Sequence, residues 1–163
     1  MSYSVRPVES ADLDQWRDLY SAYREFYALA PDAAVVERVW SWIADEAHET
    51  SALVAVDADG ILGGLAHYRR FARPSSGTTG MWLDDLFTRP DLRGAGVGRA
   101  LIDAVAQIAS DENLSVVRWI TNENNTTARR LYDSLASATQ WVTYDRAVEL
   151  WKSRQRFCDP SAD

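Results

Sequence analysis

Cysteine is nearly missing: Cys158 is the one thiol in 163 residues, so no disulfide can close within the chain and the fold must rest on a buried core. Histidine is scarce too. His48 and His67 stand at no metal-ligand spacing, and no metal is expected. No apolar run approaches the roughly 20 residues that cross a bilayer, and Met1-Ser2-Tyr3-Ser4-Val5-Arg6-Pro7 lacks the apolar stretch of a secretory leader. Positive charge is short, with 17 Lys and Arg against 24 Asp and Glu and a net charge of −7. A nucleic-acid partner relies on clustered basic charge and is therefore not expected, whereas a cationic substrate is compatible. These absences together point to a cytoplasmic protein with no membrane partner.

What is present suffices for one core: 47% apolar residues and seven tryptophans. No repeat and no long linker divides the chain, so a single domain over residues 1–156 is expected, with 157–163 as a disordered tail. Residues 3–8 alternate weakly as a first strand. Leu13, Trp16, Tyr20, Tyr23 and Tyr27 recur at helical spacing, and Val36, Val39, Trp40 and Ile43 mark a second helix. Two apolar strands, 53–56 and 61–68, flank the turn Asp57-Ala58-Asp59-Gly60 and form a hairpin. A loop over 73–80, a strand over 81–88, a helix over 97–111, a strand over 115–120 and a helix over 126–135 follow. A strand over 141–144 and a helix over 146–156 complete the expectation, and these last segments offer a surface for pairing in a homodimer. The hairpin is antiparallel, while the helical crossover at 97–111 joins two parallel strands. The fold class is therefore α/β (α+β), a mixed, mostly antiparallel sheet with helices on both faces.

The most informative stretch is Leu92-Arg93-Gly94-Ala95-Gly96-Val97-Gly98-Arg99, which lies between the strand Trp82-Leu83-Asp84-Asp85-Leu86-Phe87 and the helix after it. Glycines let a backbone approach a ligand closely, and a helix start offers unpaired N–H groups and the positive end of a dipole. Together they suit a phosphate. The spacing does not supply the G-x-G-x-x-G of dinucleotide folds, nor the Gly-Lys-Ser/Thr end of a P-loop.

What remains, Arg-x-x-Gly-x-Gly from Arg93 to Gly98, resembles the pyrophosphate loop of the GCN5-related N-acetyltransferases (GNAT), which bind acetyl-coenzyme A. Two further segments carry the resemblance. Leu83-Asp84-Asp85-Leu86-Phe87-Thr88 is similar to the family's fourth strand, and Asn125-Thr126-Thr127-Ala128-Arg129-Arg130-Leu131-Tyr132 to its Asn-x-x-Ala-x-x-x-Tyr helix. Within the family, Trp119-Ile120-Thr121-Asn122-Glu123 with Asn125 and Tyr132 resembles the Hpa2-type branch, and the adjacent acids resemble the diamine acetyltransferases. One departure is plain: where members often have a Gly-Phe turn after the tyrosine, this chain has Leu135-Ala136-Ser137-Ala138-Thr139.

The resemblance implies acetyl transfer from acetyl-coenzyme A, as cosubstrate, to a primary amine of a small molecule or peptide. Polyamine-, lysine- or histone-tail-like acceptors lead, and an amino acid or an aminoglycoside-type amine is the alternative. A non-catalytic acyl-coenzyme A sensor stands as a reading from another class. The coenzyme would be held by Arg93, Gly94, Ala95, Gly96, Val97, Gly98 and Arg99, with the backbone of Leu86, Phe87 and Thr88 and the side chain of Asn125 along its arm. Either Asp84 or Asp85 would take the proton of the amine, which arrives charged because an alkylamine has a pKa of about 10.4. Strict alternation would put the two acids on opposite faces unless a bulge intervenes. Tyr132 would protonate the leaving thiolate. The row Trp16, Tyr20, Tyr23 and Tyr27 reads first as core, and second as an amine pocket through cation–π contacts.

Overall fold

The computed structural model describes residues 3–148; most of the helix expected over 146–156, and all of the tail with Cys158, lie outside that range. The chain divides into two compact units, one ending at Asn125 and the other beginning at Thr126.

The first unit runs β1 (Ser4–Pro7), α1 (Leu13–Phe26), α2 (Ala33–Ala44), β2 (Ser51–Val56), β3 (Leu62–Arg73), β4 (Thr78–Thr88), α3 (Val97–Asp111) and β5 (Val117–Arg118). The sheet order follows the chain, β1-β2-β3-β4-β5. Every ladder is antiparallel except β4 with β5, which the α3 crossover makes parallel. Short polar side chains set the helix starts. Arg6 donates to both oxygens of Asp12 at 2.7 and 2.9 Å, and Asp12 also accepts from the Glu9 N–H at 2.8 Å, tying β1 to the start of α1. Asp32 caps α2 by accepting from the N–H groups of Ala34 and Val35 at 2.9 and 3.2 Å.

The apolar stripes bury two different faces. On one, Trp16, Leu19 and Tyr20 of α1 and Val36 and Val39 of α2 pack on Val54, Val56, Leu65 and Phe87. On the other, α3 buries Val97, Leu101, Ile102, Val105 and Ala109. Gly64 makes that second contact close: a Cβ there would stand 2.6 Å from the Phe87 carbonyl oxygen and 3.0 Å from Val97.

Three expectations need correction. The loop over 73–80 is only a turn, because the ladder continues to the pair Arg73 and Thr78, closed by the Ser76 and Gly77 N–H groups on the carbonyls of Arg73 and Pro74. The strand over 115–120 shrinks to Val117–Arg118, since β4 offers it partners only at Met81 and Trp82. The strand over 141–144 does not form: residues 141–148 carry neither strand nor helix. In the second unit α4 spans Thr126–Asp133, and the N–H groups of Leu135 and Ala136 close on the Tyr132 carbonyl at 2.9 and 2.8 Å. No helix among the described residues is long and apolar enough to cross a membrane.

Candidate active site

The site begins with a break in register. Across β3 and β4, His67 lies opposite Asp85 but Tyr68 lies opposite Leu83, so Asp84 is one extra residue on β4. Such a bulge bends its strand. β5 pairs with β4 only at Met81 and Trp82, before the bulge. Beyond it the far edge of β4 has no strand partner among the described residues. The Arg89 N–H donates to the Gly63 carbonyl at 3.0 Å. Antiparallel alternation then turns the N–H groups of Phe87 and Asp85 towards β3, and those of Leu86 and Thr88 towards the open edge. The Phe87 side chain itself is buried in the α1–α2 core.

After β4, a single 3-10 turn at Pro90–Leu92 leads into a tight turn, and α3 starts at Val97. Gly94 and Gly96 have φ of 84° and 88°, with nothing within 4 Å of where a Cβ would stand. These left-handed angles suit glycine, and the space above them is open. The first N–H groups of α3 have no partner within the helix. A diphosphate fits this open, donor-lined turn, where a side chain at 94 or 96 would be strained by the left-handed angle. Ala95 is fixed by its N–H on the Leu92 carbonyl at 3.1 Å. Gly98 and Arg99 lie in the first turn of α3, whose Val97 side chain is buried. The Arg93 guanidinium sits 5.0 Å above the ring of Phe26, at the end of α1.

On the α1–α2 side, the bulge brings both acids to one cleft of about 380 Å³, bordered also by Tyr20, Trp42, Glu49 and Arg69. The two carboxylates live in different surroundings. Asp85 is the inner one. The Trp16 indole N–H, which can only donate, gives its hydrogen to His67 Nε2 at 3.0 Å. The ring proton must then sit on Nδ1, which donates to Asp85 Oδ2 at 2.9 Å. His67 Nε2 thus accepts and Nδ1 donates, which holds the ring in one orientation. The Tyr23 hydroxyl donates to Asp85 Oδ1. Burial works to raise the Asp85 pKa, but the bonds from His67 and Tyr23 and the nearby Arg24 outweigh it and hold the carboxyl below its ordinary value. The Tyr23 phenol is pushed up, by burial first and then by the adjacent Asp85. Asp84, by contrast, is raised, mainly by burial and further by the charge of Asp85, with Arg69 opposing.

The structure thus brings Asp84, Asp85, Leu86, Phe87, Thr88 and the 93–99 turn together in the first unit. Asn125 ends that unit, and Tyr132 stands on α4 in the second. Of the aromatic row, Trp16 and Tyr20 are buried core while Tyr27 is 42% exposed. His67 and Tyr23 escaped the sequence reading as partners of Asp85, and Trp16 as the partner of His67. The signal for His67 was its place as a lone polar residue in the apolar run Ile61 to Tyr68.

Residues 13–136 match the model of the Acetyltransferase (GNAT) family. Among known proteins the chain is similar to the D-amino-acid N-acetyltransferase HPA3 of Saccharomyces cerevisiae, 27% identical over 143 residues that span 87% of this chain and 89% of that protein. Its fold is similar to that of a ribosomal-protein-alanine N-acetyltransferase from Brucella melitensis biovar Abortus 2308, with TM-score 0.77 and 22% identity over 90% of this chain and 100% of that one. It is likewise similar in fold to AAC(6')-Iy in complex with the bisubstrate analogue CoA-S-monomethyl-acetylneamine, with TM-score 0.74 and 20% identity over 91% and 99% of the two chains.

Proposed function

Because the chain belongs to the acetyltransferase (GNAT) family and is thereby an acetyl-coenzyme A-dependent N-acetyltransferase, we propose that it acetylates a compact primary amine by direct attack, with Asp84 as base and Tyr132 as acid. The observation that carries this reading is the Asp84 bulge. Beyond it the β4 edge is open at Leu86 and Thr88, just before the glycine turn, and the bulge puts an acid at the cleft on the α1–α2 side.

When bound, the coenzyme supplies an acetyl thioester. The N–H groups at the start of α3 hold its diphosphate, helped by the positive charge of Arg93 and Arg99. The Thr88 backbone pairs with the pantetheine arm, and Asn125 hydrogen-bonds along it. The Leu86 N–H donates to the carbonyl oxygen, where one such donor is worth up to about 3–4 kcal/mol in the transition state. Asp84 takes one proton from the incoming ammonium, which leaves a free nitrogen lone pair for attack. As the new C–N bond forms and the C–S bond breaks, Tyr132 gives its phenol proton to the sulfur, and the second proton lost from the nitrogen restores the phenol, so that the one net proton leaves from Asp84 to water. Asp84 suits the role of base better than Asp85, because burial raises its pKa and its contact with Arg69 is loose, whereas both oxygens of Asp85 are engaged by His67 and Tyr23. The acidic lining suits a cationic acceptor, whether polyamine- or lysine-like, and the yeast relative's name adds the amino acids.

Thiol release from acetyl-coenzyme A in the presence of a panel of amines tests the reading. Release with at least one amine is expected. Thermal stabilisation by the coenzyme with no release for any amine would instead establish a sensor. Tyr132→Phe should lower turnover by about 10²-fold while coenzyme binding persists; unchanged turnover removes Tyr132 from the mechanism.

A further inference from the structure

We propose that the amine accepted by this cleft carries its own carboxylate and that Arg69 receives it, so that the acceptor is a free amino acid rather than a polycation. The inference rests on the acetyl-transfer reading above and concerns which amine enters.

Not every charge around the cleft is available to a ligand. Asp85 has one oxygen engaged by His67 and the other by Tyr23. Asp84 and Arg69, on the neighbouring strands β4 and β3, are different. Their contact uses a single nitrogen, Nε, at 3.3 Å from one carboxylate oxygen and 3.2 Å from the other. That is long for an arginine–carboxylate pair, whose strong form is bidentate at about 2.7–2.9 Å. The next residue shows the strong form: Arg70 grips Glu112 through two nitrogens. The terminal nitrogens of Arg69 make no hydrogen bond among the described residues. Both side chains border the cleft and are about one-third exposed, at 34% and 31%.

A loosely joined acid and base, side by side, form the counterpart of a molecule that carries an ammonium and a carboxylate on one carbon. The ammonium meets Asp84, where the proton must go, and the carboxylate takes the free fork of Arg69. A polyamine meets the same Asp84 with nothing to offer Arg69, and its charge is repelled there. Of the remaining walls, Tyr20, Val39 and Trp42 are apolar or aromatic and leave room for a side chain, while His48, Glu49 and Thr50 form a polar end. At about 380 Å³ the cleft lies at the small end of ligand sites, about 300–1,000 Å³.

The test measures thiol release with matched pairs that differ only in the carboxylate, phenylalanine against phenethylamine and lysine against cadaverine, using both enantiomers of each acid, with spermidine alongside. In at least one pair the acid should show about tenfold or greater advantage in kcat/KM, expressed in KM. In Arg69→Met that ratio should collapse towards one, again through KM, and Arg69→Lys should restore part of it. Because the ratio is taken within one variant, a general loss from disturbing Asp84 cancels. The inference is overturned if neither pair favours the acid, if spermidine outperforms every amino acid, or if Arg69→Met lowers both members of a pair alike. Turnover of cationic amines alone leaves acetyl transfer standing and removes only this inference; turnover of no amine removes both.

Discussion

Under α3 the sheet meets an apolar stripe: Val97, Leu101 and Val105 lie at 2%, 0% and 0% exposure, the first two against Gly64. Under α1 the same sheet buries a polar chain, from the Trp16 indole through His67 and Asp85 to the Tyr23 hydroxyl. The first face is held by volume and close approach. The second is held by directed hydrogen bonds, each of which is costly to leave unmade in a low-dielectric interior. The bulge belongs to the second face, and so does the cleft. The α3 packing is apolar throughout this stripe, whereas the α1 side holds one carboxyl below its ordinary pKa beside another that burial raises.

The contrast can be broken at several points. The largest effect is expected at Asp84. Asp84→Asn should lower turnover by about 10²–10⁴-fold, roughly 3–5 kcal/mol in the barrier. Its melting temperature should hold or rise, since burial and Asp85 disfavour the charge that is removed. Wild-type turnover in this variant would place the base elsewhere. His67→Phe should cost about 3 kcal/mol in urea unfolding, because it leaves the buried Trp16 N–H without an acceptor and one Asp85 oxygen without its donor; a loss below 1 kcal/mol would mean the polar chain does not hold that face. On the apolar side, Gly64→Ala should cost about 2 kcal/mol, as the new Cβ meets the Phe87 carbonyl rather than a side chain that can turn away.

Tyr23→Phe is the smaller perturbation, about 1.5 kcal/mol, since His67 still partners Asp85 and water can reach the freed oxygen. Acid should sharpen the difference between the faces. Asp85 and Asp12 both have folded pKa values below their unfolded ones, so their contribution is complete above the unfolded value of about 3.9 and is lost as pH falls through the folded values. Melting temperatures followed from pH 7 to pH 3 should therefore drop at the acid end, and less steeply in Asp85→Asn.

Much of the architecture could be read from the chain, because its rules are local. The α3 stripe at Val97, Leu101, Ile102, Val105 and Ala109 is a 3.6-residue period, and the helix runs from Val97 to Asp111 as that pattern requires. The glycines at 94 and 96 take the left-handed angles that only their type takes readily. The strand expected at 141–144 failed because alternation proposes a strand but cannot provide the neighbour that pairs with it. β5 was shortened for the same reason.

Residue types and spacings by themselves determined the helices, the mixed sheet, the donor-rich turn before α3 and the presence of two acids on β4, since each depends on neighbours a few positions away. Which acid is held below its ordinary pKa and which is raised was decided only by tertiary structure. That choice depends on the extra residue at 84 and on His67, which lies 51 residues from Trp16 and 18 from Asp85. A carboxylate's proton affinity is set by burial and by the donors around it, and neither exists until distant strands and helices have closed on one another.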